Sequence, residues 1–237
     1  ALAYCSQART ELGLVLGEVE GAWLGITHRS WFAMAHAAGF ERDRALAYCP
    51  RCGTSTGLYE ADVDGCPICR GKRLHWERSV RLGTYEGVLR RAVLESKYTP
   101  WPRMCREVGM EIGLALDEAL SRSQIDRSGV VICPVPTSRR RRLSRGIDHT
   151  LVMAREVGRI TGTRVVRAVD RQHGQPQTGL SAQARKKNVS KVFIAKPRLC
   201  ATLDGLLVVL VDDVRTTGAT LGFEDTYKIG VGANYQL

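Results

Sequence analysis

Several features that define common protein classes are missing from this sequence of 237 residues. No apolar run approaches the roughly 18 residues that a membrane-spanning helix needs, and the amino terminus lacks a basic stretch followed by an apolar segment and a cleavage site. We therefore expect a soluble, cytoplasmic protein that is not exported. The motifs GxxxxGK(S/T), GxGxxG and HExxH and a catalytic Ser-His-Asp spacing are also missing, so the familiar signatures of a P-loop enzyme or a dinucleotide-binding enzyme are absent.

Aromatic residues are scarce, at 6% of the chain, whereas basic residues are in excess. The formal charge of +11 favours anionic partners such as phosphorylated metabolites or nucleic acid. The low aromatic content weakens an interpretation based on stacking of single-stranded bases. Part of the basic excess lies in one cluster, formed by Arg139, Arg140, Arg141, Arg142 and Arg145.

Four of the eight cysteines form two CxxC pairs. Cys49 and Cys52 form the first pair, Cys66 and Cys69 form the second, and 13 residues separate the pairs. This spacing is typical of a closed, tetrahedral zinc site, in which the metal is structural and takes no part in catalysis. Two disulfides are the alternative, which the missing export signal disfavours. The remaining cysteines are expected to be small buried apolar side chains: Cys5, Cys105, Cys133 and Cys200.

The segment VVLVDDVRTTGAT, which begins at Val208, is the most informative part of the chain. Its apolar run predicts a strand buried on both faces of a parallel sheet. Asp212 and Asp213 then lie at the carboxyl end of that strand, where ligands bind in open α/β sheets. The predicted turn offers backbone N–H groups and hydroxyls to a phosphate, and it comprises Arg215, Thr216, Thr217, Gly218, Ala219 and Thr220. The two acids suit a ribose diol or Mg²⁺.

This segment resembles the phosphoribosyl pyrophosphate signature of type I phosphoribosyltransferases. The resemblance implies that residues 215–220 hold the 5-phosphate and that Asp212 and Asp213 are the catalytic pair, on the ribose diol or its magnesium. We predict that pyrophosphate is held by the residues at the end of the preceding apolar strand: Pro136, Thr137, Ser138 and Arg139. Lys97 and Arg185 are weaker candidates for the same role. The alternatives are an ordinary strand with an acidic end or the metal-binding carboxylates of a nucleotide hydrolase.

Apolar spacing predicts helices and strands that alternate along the chain. A helix is expected from an N-cap at Ser30 to a stop at Gly39, and helical periodicity recurs between residues 76 and 120 and in HTLVMAREVGRITG. Short strands are expected at VVICPVP, RVVRAV, VFIAKP and the apolar run that leads to the acid pair. This order predicts an α/β fold with a mainly parallel sheet flanked by helices. The scattered histidines, His149 among them, are expected to be surface or packing residues.

Taken in order, five features resemble the ComF family: the paired CxxC motifs, Leu94–Tyr98, Pro134–Pro136 with Arg145–Gly146, the segment from Arg171 to Asn188, and the acid pair. The resemblance implies a type I phosphoribosyltransferase fold, and an association with competence and uptake of single-stranded DNA. The sequence Gly146-Ile147-Asp148-His149 departs from Gly-Phe-Asn-Gln, which is common in the family. We predict three parts: an N-terminal helical segment (1–45), a zinc ribbon (46–75) and a phosphoribosyltransferase-like domain (76–237).

The leading hypothesis is magnesium-dependent transfer of a phosphoribosyl group from phosphoribosyl pyrophosphate to an unidentified acceptor. Two alternatives stay open. In the first, the protein is a non-catalytic member of the competence machinery that handles single-stranded DNA. In the second, it senses phosphoribosyl pyrophosphate as a regulator.

Overall fold

A computed structural model describes residues 30–57, 59–62, 64–74, 76–98, 102–171, 193–215 and 230–234. The boundary between two compact units falls between Gly39 and Phe40. In this described part of the chain, no helix combines the length and the apolar character needed to cross a membrane.

The described part of the first unit is a single short helix, α1 (Trp31–Ala37). The side chain of Ser30 accepts a hydrogen bond from the backbone N–H of Ala33 at 3.4 Å, which is the usual role of an N-cap serine. Gly39 has a φ of +92°, and glycine adopts this left-handed conformation without steric cost. Both ends of the predicted helix are confirmed.

The described part of the second unit contains both helices and strands. The helices are α2 (Gly87–Tyr98), α3 (Arg103–Arg122), α4 (Arg139–Arg145), α5 (His149–Thr161) and α6 (Pro197–Cys200). The strands are β1 (Ser79–Val80), β2 (Val130–Pro134), β3 (Arg164–Val165), β4 (Val169–Arg171), β5 (Phe193–Ala195), β6 (Leu207–Arg215) and β7 (Gly230–Asn234). The described residues also include two 3-10 turns, at Arg127–Gly129 and Ala201–Leu203.

Five of these strands form a parallel sheet in the order β1-β7-β6-β2-β3. Strand β6 lies in the middle, and its residues 208–211 are at most 6% exposed, as expected for a strand covered on both faces. β4 and β5 pair separately and antiparallel. The predicted strand RVVRAV is divided between β3 and β4, because each of these short strands pairs with a different neighbour. The prediction of a mainly parallel sheet with flanking helices is confirmed.

Close packing of α3 on α5 fixes the position of α5. A Cβ atom on Gly109 would lie 2.7 Å from the carbonyl oxygen of Met153, so only a glycine lets the two helices approach this closely. Met153 and Val157 on α5 are fully buried, and Ile112 and Leu116 on α3 are each only 1% exposed. This contact holds the first turn of α5 at the carboxyl edge of the sheet.

A β-bulge interrupts β6 at the acid pair. Val211 pairs with Val231, and Val214 pairs with Ala233, so β6 has one more residue than β7 between these points. Side chains alternate between faces in a regular strand, and a bulge breaks that alternation and redirects a side chain. The two adjacent aspartates in the bulge can therefore lie at the same edge of the sheet.

The sequence prediction placed the acids at the carboxyl end of the strand and began the phosphate-binding turn at Arg215. The strand continues through Arg215, which pairs with Asn234 on β7. The difference arises because adjacent aspartates are poor strand formers when judged alone. Backbone pairing with β7 nevertheless extends the strand to Arg215.

Candidate active site and metal site

The four cysteines of the CxxC pairs lie together, with all four Sγ atoms within 4.8 Å of one another. The Cys52–Cys66, Cys49–Cys69 and Cys66–Cys69 sulfur distances are 3.6, 3.7 and 3.8 Å. A disulfide bond is about 2.05 Å long, so the alternative of two disulfides is excluded. Tetrahedral zinc with ~2.3 Å bonds to sulfur places its ligands about 3.8 Å apart. The cluster therefore fits a structural zinc ion.

These thiols do not ionise alike. Burial opposes ionisation of Cys49, but backbone N–H groups of Cys52, Arg51 and Cys66 outweigh it and lower the pKa of Cys49 to about 7. Burial raises the pKa of Cys69 to about 12, and contacts with the Cys52 and Cys49 thiols add to the effect. A divalent cation would stabilise all four thiolates, which couples metal binding to folding of this segment.

A buried arginine joins the cysteine cluster to the sheet. Arg81 follows β1 and is 2% exposed. Its guanidinium donates from Nε to the carboxylate of Asp43 at 2.7 Å and from a terminal nitrogen to the carbonyl of Gly53 at 2.9 Å. The indole of Trp76 donates to the carbonyl of Arg51 at 3.0 Å. The segment that carries the cysteines is thus hydrogen-bonded to the start of the sheet.

The other described cysteines carry no sign of chemistry. Cys105 and Cys133 are buried, at 0% and 1% exposure, and Cys200 is partly buried. Burial, with a contribution from the charge of Asp213, raises the pKa of Cys105 to about 12, so this thiol stays protonated. The predicted packing role is confirmed for Cys105 and Cys133, and Cys5 lies outside the described residues.

A cavity of about 490 Å³ opens where β2 and β6 end. Asp212 and Asp213 reach it from the bulge, and Pro136 and Thr137 reach it from the loop after β2. Four basic residues of its lining come from three separate segments: Lys97 of α2, Arg141 and Arg145 of α4, and Arg171 of β4. Two carboxylates beside several cationic groups suit a ligand that carries both phosphates and hydroxyls.

Asp213 is the centre of a hydrogen-bonded network within this cavity. Its Oδ2 accepts from Lys97 Nζ at 3.1 Å and from His149 Nε2 at 2.8 Å. Both bonds run between ionisable groups in a largely buried setting, since Asp213 is 7% and His149 4% exposed. One carboxylate oxygen therefore links β6 to α2 and to the first residue of α5.

His149 also contacts the arginine cluster through its second ring nitrogen. Nδ1 lies 3.4 Å from a terminal nitrogen of Arg145 and 3.5 Å from Thr137 Oγ1. Because a guanidinium only donates, the Arg145 contact favours the tautomer with its proton on Nε2, pointing at Asp213. The Arg145 guanidinium itself lies over the Tyr98 ring, 5.5 Å from the ring centroid, which is a cation–π geometry.

The two adjacent acids differ in their protonation. Burial, and then the charge of Asp213, raises the pKa of Asp212 to about 7. Burial acts on Asp213 in the same direction, but the hydrogen bond from His149 and the charge of Lys97 outweigh it and lower the pKa of Asp213. Asp213 is therefore the more readily ionised member of the pair, and Asp212 is the member that a bound cation would deprotonate.

Five of the predicted site residues line this cavity: Lys97, Pro136, Thr137, Asp212 and Asp213. Two others do not. The Ser138 side chain accepts from the backbone N–H of Arg141 at 3.4 Å and so caps α4, and Arg139 lines a neighbouring cavity. Of Arg215, only the backbone is described. The other predicted residues lie outside the described part of the chain: Arg185, Thr216, Thr217, Gly218, Ala219 and Thr220.

His149 is the main residue that the sequence prediction missed. It was expected on the surface or in ordinary packing, and instead it is buried at the cavity against Asp213. A signal for it was present, because His149 falls in the turn that departs from the family pattern, directly after the arginine cluster. Arg145 and Arg171 also line the cavity, although neither was singled out as a ligand-binding residue.

The fold and its sites define a mixed α/β protein with a parallel sheet, a charged cavity at the carboxyl edge, and a four-cysteine cluster able to hold zinc. The chain is similar to proteins named for competence and DNA utilization. It is 30% identical over 212 residues to the DNA utilization protein YhgH of Salmonella typhi, covering 84% of this chain and 83% of that protein. It is 26% identical over 185 residues to competence protein F of Haemophilus influenzae, covering 75% and 76%.

The YhgH protein of Salmonella typhimurium gives a similar result, with 30% identity over 208 residues and coverage of 84% and 83%. No family model matches the chain. The level of identity and the coverage nevertheless place the chain in the ComF family.

Proposed function

We propose that this protein binds phosphoribosyl pyrophosphate with Mg²⁺ in the cavity at the acid pair and transfers the phosphoribosyl group to an acceptor. The observation that carries the proposal is the bulge in β6, which brings Asp212 and Asp213 to one cavity beside Lys97 and the arginines of α4. Vicinal hydroxyls of a ribose can donate to paired carboxylates, and pyrophosphate is matched by guanidinium and ammonium groups. We assign the sheet to a type I phosphoribosyltransferase fold on this basis.

The donor set also suits a hard cation. Mg²⁺ is usually held by one or two carboxylates together with substrate phosphates. Asp212 is the better candidate ligand, because the Oδ2 atom of Asp213 is already bonded to Lys97 and His149. Bound there, Mg²⁺ would neutralise charge that develops on departing pyrophosphate.

The residues of the cavity contribute mainly positioning and electrostatics. When the bond between ribose C1 and pyrophosphate breaks, positive charge develops on the sugar and negative charge on the leaving group. Lys97, Arg145 and Arg171 would stabilise the leaving group, while the carboxylates orient the ribose. Asp213 keeps Lys97 in place through their ion pair. Catalysis of this kind needs aligned groups more than a strong base.

We further propose that the cysteine cluster binds a structural zinc ion, and that the chain is organised as an N-terminal segment, a zinc ribbon and a phosphoribosyltransferase-like domain. The names of the relatives support a role in competence or DNA utilization for this chain as well.

Calorimetric titration with phosphoribosyl pyrophosphate and MgCl₂ tests the site. The Asp212→Asn/Asp213→Asn variant should lose binding, whereas the control Asp204→Asn, at an exposed position just before β6, should bind like the wild type. Circular dichroism establishes that both variants are folded. Undiminished binding in the double variant would show that the acid pair is not the ligand site.

A screen for pyrophosphate release tests the chemistry, with nucleobases, glutamine and ammonia as acceptors. Release that requires both the acceptor and the acid pair supports transfer. Ligand binding without release under any of these conditions would instead support a regulatory, ligand-sensing role.

Binding of single-stranded DNA is a second candidate function, favoured by the names of the relatives and by the formal charge of +11. Affinity that depends on many phosphate contacts falls by orders of magnitude between 50 and 200 mM salt. A steep loss of oligonucleotide binding over that range, at equal levels in wild type and Asp212→Asn/Asp213→Asn, would assign DNA binding to the basic surface and not to the acid pair.

A further inference from the structure

His149 links the acidic side and the basic side of the cavity at the acid pair. It is the first residue of α5, whose position is fixed by its close packing on α3 at Gly109. His149 is 4% exposed, and each nitrogen of its ring faces a different charged residue. Nε2 lies 2.8 Å from Asp213 Oδ2, and Nδ1 lies 3.4 Å from a terminal nitrogen of Arg145. A buried ring with a partner at each nitrogen has little freedom to turn.

The charges on either side of the ring determine where its proton lies. The Asp213 carboxylate only accepts hydrogen bonds, so the proton of the neutral imidazole is on Nε2. Nδ1 then carries a lone pair, and the Arg145 guanidinium, which only donates, lies beside it. The hydroxyl of Thr137 is 3.5 Å from the same nitrogen and is able to donate to it as well. The ring thus donates to the acidic side and accepts from the basic side.

Arg145 has few other contacts that could hold it in place. Among the residues that the structure describes, no carboxylate forms an ion pair with its guanidinium. Besides His149, the guanidinium contacts the ring of Tyr98, whose centroid is 5.5 Å away, and this tyrosine is 73% exposed. An arginine side chain loses considerable rotamer entropy when it is ordered. An acceptor that orders it in advance therefore lowers the entropic cost of binding an anion.

We propose that His149 is a positioning residue, which holds the Arg145 guanidinium at the cavity and ties its place to that of Asp213. A neutral imidazole orients the guanidinium and leaves its charge available to a ligand, whereas a carboxylate in the same place would neutralise that charge. This inference rests on the proposed function, because Arg145 would meet the pyrophosphate of the ligand while Asp213 meets the ribose. His149 acts through these two neighbours.

Two substitutions of His149 separate hydrogen bonding from packing. In His149→Gln, the amide nitrogen is able to donate to Asp213 and the amide oxygen to accept from Arg145, whereas the leucine of His149→Leu has a similar volume and does neither. Calorimetry measures the affinity for phosphoribosyl pyrophosphate with MgCl₂ and for inorganic pyrophosphate. The control is His36→Leu, at an exposed histidine of α1. Circular dichroism establishes that the variants are folded.

We expect binding of both ligands to weaken at least about tenfold in His149→Leu, since the ordered charged hydrogen bond is lost. In His149→Gln and in the control, binding should weaken less than about threefold. Equal losses in the two His149 variants would overturn the proposal, because the effect would then follow the shape of the side chain and not its hydrogen bonds. Wild-type affinity in His149→Leu would overturn it too.

The position of the ring proton is measured without any ligand. Long-range ¹H–¹⁵N NMR spectra at pH 7.5 show which nitrogen of His149 is protonated, with the resonances assigned by their loss in His149→Gln. We expect the proton on Nε2. We also expect the Nδ1 resonance to shift in Arg145→Gln and to stay in place in Arg140→Gln, which removes the same charge at an exposed position outside the cavity.

A proton on Nδ1, or equal shifts of the resonance in the two arginine variants, would overturn the positioning role of His149. This measurement uses no phosphoribosyl pyrophosphate and does not depend on the folding of His149→Leu. If the wild-type protein does not bind phosphoribosyl pyrophosphate, the proposed function fails, and the spectra still decide whether His149 holds Arg145. The two proposals therefore fail separately.

Discussion

The network around Asp213 gives the most direct test of the candidate site. In Asp213→Asn, the carboxylate whose Oδ2 accepts from both Lys97 and His149 becomes a neutral amide of nearly the same shape. An amide oxygen accepts more weakly than a carboxylate, and the amide nitrogen accepts nothing. Lys97 would then keep its charge in a cavity that has lost the carboxylate beside it. The substitution therefore removes interaction energy with little change in volume.

The expected cost follows from the two bonds. Hydrogen bonds to charged groups contribute about 1.5–3 kcal/mol each, and the side chains of Lys97 and Asp213 are 21% and 9% exposed, so solvent weakens the pair only in part. With one weakened bond to asparagine retained, we expect the free energy of unfolding to fall by about 2–3 kcal/mol. The ion pair itself should appear as a coupling energy of about 1–2 kcal/mol between Lys97→Met and Asp213→Asn.

Urea unfolding of the single and double variants measures this coupling at pH 7.5. The control is the same cycle on Arg44 and Glu41, a surface pair with side chains 84% and 76% exposed, where the coupling should not exceed about 0.5 kcal/mol. A Lys97–Asp213 coupling as small as that of the surface pair would refute the view that Asp213 holds Lys97 in the cavity.

Three further outcomes are expected. The pKa of Asp212 is raised to about 7 from an ordinary 3.8, so between these pH values the folded state binds a proton that the unfolded state does not, and the free energy of unfolding falls as pH rises from about 4 to 7. Asp212→Asn should remove this slope in urea titrations and stabilise the protein at pH 8 by about 1–3 kcal/mol. An unchanged slope would contradict the assignment. Chelation of zinc at neutral pH should raise the number of rapidly reacting thiols by about four, the size of the cysteine cluster, and lower the melting temperature, whereas metal analysis without bound zinc would exclude the site. Gly109→Ala places a Cβ 2.7 Å from the carbonyl oxygen of Met153 and should lower the free energy of unfolding in urea by about 1–3 kcal/mol. The control Gly129→Ala, with nothing within 4 Å of its Cβ, should lower it far less. Equal losses would argue against tight packing of α3 on α5.

Local signals made much of the fold predictable. The apolar run before the acid pair, the periodicity of α2, α3 and α5, and the N-cap at Ser30 depend on residues close together in sequence, and each corresponds to an element of the structure. The cysteine cluster was predictable for the same reason, since each CxxC pair sets its own turn. The order of strands along the chain was enough to indicate a parallel sheet.

The interior of the site depended on contacts between distant segments. His149 and Asp213 are 64 residues apart, and no local pattern links them. The bulge is equally hidden, because it exists only through the register of β6 against β7. Ser138 shows a different ambiguity: a serine at the end of a strand suits phosphate binding and helix capping alike, and only the position of α4 decides between them.

The bulge makes the number of residues in β6 as important as their chemistry. Exchanging either aspartate alters one functional group and leaves the backbone path intact. Deleting one would remove both an acid and the extra residue of the bulge, so that the remaining acid would lie in a regular strand opposite Gly232 and would no longer be redirected by the bulge. The number of residues in β6 is therefore constrained more tightly than their identity at this position. Substitutions can change the ligand preference, whereas the loss of one codon removes the site.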